Sequence, residues 1–185
     1  AAGIPYPDYK RGTEAITMLL GPAVVALAVP LCRRMDLIVR QGPAILVTTV
    51  FGSLVGILSS VLPAVLLGTP WEAALSLAPK SVTTPIAMDI AEKIGGVPSF
   101  ASAVVILTGI FGAALGPVVL RLVGVTNSAA FGLAMGFSAH GIGTARAAEI
   151  GDEEAAFSGL GLCLNGLATA VLAPPVVGGI ARLCL

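Results

Sequence analysis

Charge is what this sequence holds least of. Only 11% of its 185 residues are Asp, Glu, Lys or Arg, and they balance to a formal net charge of zero, where a soluble domain carries roughly 25%. So few charges cannot cover a water-facing surface, which excludes an ordinary soluble domain. There is no basic block, and aromatics make up only 5%. The chain therefore lacks both the electrostatic footprint and the stacking platforms of a nucleic-acid binder. The same scarcity argues against a membrane β-barrel, which needs aromatic girdles at both interfaces. The three cysteines, Cys32, Cys163 and Cys184, are odd in number and far apart. With no CxxC spacing and a single histidine, neither a disulfide framework nor a metal site is indicated, and the cysteines read as small apolar fillers. Catalytic patterns are missing too: no Gly-x-Ser-x-Gly elbow, no His-Glu-x-x-His helix and no paired carboxylates beside a cleft. Ser138 beside His140 is the sole weak nucleophile–base pair, so the chain is not expected to be an enzyme or to hold a cofactor.

What is abundant is apolar sequence (56%) and glycine, with 23 residues. That pairing suits closely packed transmembrane helices. The expected fold is all-α, a polytopic integral membrane helix bundle. Six apolar stretches can be marked, at 13–31, 43–67, 71–94, 99–123, 129–150 and 155–180, most of them near the ~20 residues needed to cross a bilayer core. Arg33, Arg34 and Arg40 mark a loop expected on the cytoplasmic side. The first residues, Ala-Ala-Gly-Ile-Pro-Tyr-Pro, read as an interhelical loop, so further sequence is expected upstream.

Two of the stretches are interrupted by polar residues, and the chain repeats itself around them. Residues 79–89 set against 139–149 share Thr84 with Thr144 and end on Asp89 and Glu149. Thr108-Gly-Ile-Phe-Gly-Ala-Ala-Leu-Gly-Pro117 aligns with Asn165-Gly-Leu-Ala-Thr-Ala-Val-Leu-Ala-Pro174. The chain therefore reads as one domain, 1–185, holding repeat units at about 71–123 and 127–184, each a broken (discontinuous or re-entrant) helix followed by an unbroken one. Broken helices in internal repeats, with a site where they meet, are the pattern of secondary transporters.

The first interruption reads Pro79-Lys-Ser-Val-Thr-Thr-Pro85. Lipid cannot satisfy a charge or a freed backbone group, so polar residues at this depth face a cavity or a partner. Thr84 before Pro85 reads as a cap opening a half-helix whose free N–H groups suit an anion. Lys80 adds a full positive charge there, and Ser81, Thr83 and Thr84 add donors. The second interruption reads Ser138-Ala-His-Gly-Ile-Gly-Thr-Ala-Arg146. Gly141 and Gly143 would let the backbone unwind and Thr144 would cap the next half-helix. Arg146 would then need an anionic partner, either substrate or Asp89. His140 could carry a proton near neutral pH. Asp89 and Lys93 also stand at i,i+4 and could pair on one helix face. Asn165 and Thr108 fit either ligand contact or cross-helix bonding, while Gly109, Gly112 and Gly116 read as close packing of helices.

The segments Gly3-Ile-Pro-Tyr6, Leu20-Gly-Pro-Ala23, Ser76-Leu-Ala-Pro-Lys-Ser-Val-Thr-Thr-Pro-Ile-Ala-Met88 and Ala139-His-Gly-Ile-Gly-Thr-Ala-Arg146 resemble the LrgB/CidB family. That family includes the bacterial LrgB and CidB membrane proteins and the C-terminal half of the plastid glycolate/glycerate transporter. The resemblance covers essentially the whole chain, with Cys32 standing where tyrosine is common. It implies a multi-pass protein of the bacterial inner membrane (the plastid envelope in a plant) with an LrgA/CidA-type small membrane partner. It also implies transport of small carboxylates such as glycolate, glycerate or pyruvate. An older alternative for the family is a holin/antiholin-like pore or regulator of murein hydrolase activity and lysis.

The residues favour a carrier. The expected site holds a small carboxylate with Lys80 and Arg146, the hydroxyls of Ser81, Thr83 and Thr84, the unwound backbone at Gly141, Gly143 and Thr144, and Asn165 and His140. His140 or Asp89 would couple protons, and Na⁺ is an equally open coupling ion. Tight glycine-rich helices make a homo-oligomer the expected assembly.

Overall fold

The computed structural model describes Met18 and residues 28–184, and among the described residues every regular element is a helix. In chain order these are α1 (Ala28–Arg33), α2 (Met35–Arg40), α3 (Gly42–Leu66), α4 (Trp71–Ser76), α5 (Thr84–Ile94), α6 (Pro98–Leu122), α7 (Ser128–Ala148) and α8 (Asp152–Cys184). Most of the 13–31 stretch lies outside the described residues, as do the Gly3–Tyr6 and Leu20–Ala23 motifs. The arginine-bearing segment read as a loop is instead carried by α1 and α2. In α2, Asp36 sits in the first turn and Arg40 in the last, each complementing the helix dipole.

Three helices, α3, α6 and α8, are long and apolar enough to cross a membrane. Twenty-five residues in α3 and in α6 rise about 38 Å at 1.5 Å each, which exceeds a hydrocarbon core of roughly 30 Å. Only 17% of the most apolar window of α6 is buried within the protein. Ile106, Ile110 and Val118 are among its exposed apolar residues. Pro174 and Pro175 fall inside α8 without ending it.

α8 is the central strut: it packs most extensively on α7 and also meets α1, α3 and α5. Glycine makes the α7–α8 approach possible, since a Cβ at Gly136 would strike the Ser158 carbonyl and lie 2.9 Å from the Leu162 nitrogen. Against α6, a Cβ at Gly109 would lie 2.6 Å from the His140 ring and one at Gly116 would lie 2.7 Å from Met135 Sδ. The stripe read as a packing surface is therefore one. A core of Ile57, Val61, Leu75, Val82, Ile90 and Val105 joins α3 to α6 through the 77–83 segment.

The two interrupted stretches take different forms. In the first, α4 stops at Ser76 and residues 77–83 turn tightly, with Lys80 N–H donating to the Leu77 carbonyl (3.1 Å) and Val82 N–H to Pro79 (3.2 Å). The helix then restarts one residue earlier than expected. Thr83, extended at φ −67°, ψ 149°, is the N-cap, Thr84 is already helical, and no side-chain cap bond forms. Proline at the second helical position leaves this start intact because its missing N–H has no partner to lose there.

In the second, α7 runs on without a gap but bends where Ala139 (φ −126°, ψ 15°) and His140 (φ 41°, ψ −133°) leave helical geometry. The sequence places this break at Gly141–Gly143. The structure puts it before them, and the positive φ falls on His140 rather than on either glycine. The expected Thr144 cap is absent for the same reason, because Thr144 lies inside the helix.

Candidate functional site

α3 and α6 are held apart, and the gap between them is a groove of about 640 Å³. The 77–83 turn brings Lys80 and Ser81 to it, and α7 brings Phe137 and Ser138. From α3 come Gly52, Val55, Gly56 and Ser59, while α6 lines its side with Val104, Leu107, Thr108, Phe111 and Gly112. The lining is apolar apart from one ammonium and a few hydroxyls.

Lys80 is the centre of this groove. It is half-buried, and its Nζ makes two long contacts, 3.4 Å to the Gly56 carbonyl and 3.3 Å to Ser59 Oγ. Both partners are neutral oxygens near the outer limit of hydrogen-bond length. Thr108 Oγ1 and Ser138 Oγ each donate to a carbonyl of their own helix, at 2.8 Å and 2.7 Å. Both residues line the groove. Among the described residues no carboxylate pairs with Lys80; the one ion pair there joins Arg146 to Glu149.

Asn165 holds this wall in place. It is 1% exposed and sits at the junction of four segments. Its amide nitrogen donates to the Ser81 carbonyl (3.0 Å), Ser81 Oγ (3.3 Å) and the Phe137 carbonyl (3.2 Å). Its oxygen accepts from Ser53 Oγ at 2.8 Å and from Thr169 at 3.3 Å. Every hydrogen-bonding direction of the amide is thus taken by protein. The Phe137 carbonyl lies two residues before the bend at 139–140.

A second polar cluster lies behind the bend. His140 Nε2 donates to the Val105 carbonyl of α6 at 2.9 Å, in the space that Gly109 leaves open. Thr144 is fully buried, donates to the His140 carbonyl and lies 2.9 Å from Ser158 Oγ on α8. Gly143 lets the backbone fold close: a Cβ there would lie 2.7 Å from the Met135 carbonyl.

The expected site residues therefore divide. Lys80 and Ser81 line the groove, and Asn165 lies directly behind them. His140 and Thr144 form the neighbouring cluster and bond to protein partners. Thr83, Thr84, Gly141 and Gly143 are not among the groove-lining residues. Arg146 points outward and pairs with Glu149 one turn on, so it meets neither Lys80 nor Asp89. Asp89 is exposed on α5, and no Asp89–Lys93 bridge forms among the described residues.

The sequence reading missed the contribution of α3. Ser53, Gly56 and Ser59 supply partners to Asn165 and Lys80, and Ser158 does so for Thr144. The signal was present: Gly52, Gly56 and Ser59 recur at i, i+4 and i+7, one face of a helix, with Ser53 and Ser60 beside them.

The LrgB-like family model matches residues 1–178. Among curated relatives, an uncharacterized protein of Haemophilus influenzae is 39% identical over 92% of this chain and 74% of its own length. YwbG of Bacillus subtilis, likewise titled uncharacterized, is 37% identical over 92% of this chain and 76% of its own. YxaC of the same organism is 36% identical, with coverages of 94% and 76%. No solved structure matches.

Proposed function

This chain belongs to the LrgB-like family, and from that premise we propose that it is a secondary transporter of small monocarboxylates that binds its anion at Lys80. Substrates of the glycolate, glycerate or pyruvate type fit this reading. The observation that carries it is Lys80 itself, a half-buried ammonium in a groove between apolar helices, held by two neutral oxygens at 3.3 and 3.4 Å and by no carboxylate among the described residues. A cation at such depth calls for a compensating charge, and a substrate carboxylate can supply it reversibly. Ser59, Ser81 and Ser138 stand beside it and can read a substrate hydroxyl or keto oxygen. Alternating access would come from movement of the Lys80 turn and the bent α7 against α3 and α6.

The wider reading places the protein in the bacterial inner membrane or, in a plant, the plastid envelope. There it would act as a homo-oligomer beside an LrgA/CidA-type small membrane protein. H⁺, through His140 or Asp89, or Na⁺ would be the coupling ion, and no cofactor or catalytic step is involved.

Counterflow of labelled glycolate or pyruvate into proteoliposomes tests the proposal, with and without the small partner. Saturable counterflow that disappears in a folded Lys80→Ala variant is the expected result. Non-saturable leakage of unrelated solutes, indifferent to that substitution, would replace the carrier with the holin-like pore.

A further inference from the structure

The Lys80 groove is larger and more apolar than a two- or three-carbon acid requires. Glycolate has five non-hydrogen atoms, which at roughly the 30 Å³ that water occupies per heavy atom fill on the order of 150 Å³. The groove measures about 640 Å³, in the range of roughly 300–1,000 Å³ that encloses drug-sized ligands. Its open side is formed by Val55, Leu107 and Phe111, which are 62%, 54% and 61% exposed. These residues lie near the middle of two membrane-length helices, so the opening faces the apolar depth of the bilayer rather than either aqueous side.

We infer that this groove takes an amphipathic carboxylate, a single-chain fatty acid entering from the bilayer, with its head on Lys80 and Ser59 and its tail along Val55, Leu107 and Phe111. Charge complementarity selects the occupant. An ammonium beside lipid with no carboxylate on it among the described residues is costly, so whatever fills the groove brings a negative charge to Lys80 and presents hydrocarbon to the remaining walls. A fatty carboxylate does both. A fatty amine of the same length would place two cations together, and a small carboxylate would leave the apolar walls unfilled. The inference rests on the anion site proposed at Lys80 and adds the chemical class that the rest of the groove selects. Small monocarboxylates and fatty acids then compete for one cation, and medium-chain acids inhibit transport.

The test uses the full-length protein in lipid nanodiscs, labelled by a ten-carbon acid carrying a photoreactive diazirine on its tail and, separately, by the corresponding amine. Expected are acid adducts concentrated on the α3 and α6 segments holding Val55, Leu107 and Phe111. Excess decanoate should reduce them at least tenfold, whereas decylamine should not. They should also fall at least tenfold in Lys80→Met and in Leu107→Trp, the second of which fills the groove while keeping the lysine. Equal labelling by acid and amine, adducts spread evenly over the exposed face of α6, or adducts persisting in both variants overturn the inference. So does efficient disulfide dimerisation of a Leu107→Cys variant in place of labelling, which would show a second copy closing the groove. Glycolate separates the two readings. Lys80-dependent glycolate counterflow without head-group-selective labelling leaves the transporter standing and removes this inference. Selective acid labelling in a protein that moves no glycolate does the reverse.

Discussion

The side-chain amide of Asn165 lies 3.0 Å from the carbonyl of Ser81, 84 residues earlier in the chain. The same nitrogen reaches the Phe137 carbonyl, two residues before the bend in α7. One buried side chain therefore binds carbonyls at both polar motifs, in the 77–83 turn and just before the bend in α7. It also ties them to α3 through Ser53.

Removing that amide leaves several buried polar groups without partners. Asn165→Leu is expected to cost about 3 kcal/mol, since each unsatisfied group costs roughly 1–3 kcal/mol. Asn165→Asp keeps the acceptor for Ser53 and Thr169 but loses both donors to the carbonyls, so it is expected to destabilise as well. Thermal unfolding in detergent measures this. A leucine variant as stable as the parent would show that water or relaxation serves those groups instead.

The two cations of the polar motifs are expected to behave oppositely. Lys80→Ala should abolish saturable carboxylate uptake because, among the described residues lining the groove, only Lys80 carries positive charge. Arg146→Ala should leave uptake near the parental level, because its exposed i,i+3 pair with Glu149 is worth about 0–1 kcal/mol. Uptake kinetics of both variants at matched membrane levels provide the check. Loss of uptake in the arginine variant would place Arg146 on the substrate path.

Two glycine-to-alanine changes should differ in sign. At Gly109 the new methyl would sit 2.6 Å from the His140 ring, displacing it from the Val105 carbonyl, and overpacking of this kind costs roughly 1–3 kcal/mol. At Gly178, inside α8, a Cβ meets nothing within 4 Å. There alanine should stabilise by up to about 1 kcal/mol through helix propensity. Melting temperatures of the two variants decide the matter.

His140 holds a backbone conformation that glycine adopts freely and L-residues resist. His140→Ala and His140→Gly lose the same bond to Val105, but only alanine keeps the strain. The glycine variant is expected to be the more stable of the two by about 1 kcal/mol, the low end of the roughly 1–3 kcal/mol for such strain. Equal stabilities would mean the bend relaxes once the imidazole is gone.

Much of this was legible from composition and spacing. Residues 43–67 and 99–123 read as spans and fold as α3 and α6 within one residue at each end, because a long apolar run needs only its own backbone bonds in lipid. Lys80 stood out for the same reason, as a charge with few places to go. The α5 start was misplaced by one residue because Thr83 and Thr84 are chemically equivalent caps. The bend in α7 was misplaced toward its glycines because propensity assigns unusual φ to glycine. A cross-helix bond from His140 to Val105 outweighs that preference. Arg146 was assigned to the site because a cation in the first turn of a half-helix opposes the dipole and needs an anionic partner. The bend falls before Gly141, and Glu149 one turn on is that partner.

The sequence alone determined that this chain is a helical membrane protein of the LrgB-like family and that its polar chemistry is concentrated in two short motifs. These are properties of composition and local order, which solvent transfer and helix periodicity make additive along the chain. Tertiary structure decided which motif residues share a cavity. It placed Lys80 against Gly56 and Ser59, turned Arg146 outward, and enclosed Asn165 among Ser53, Ser81 and Phe137. Those outcomes depend on how closely glycine-lined helices approach and where each leaves a gap. Such distances are set by packing among residues remote in sequence, which no local pattern encodes.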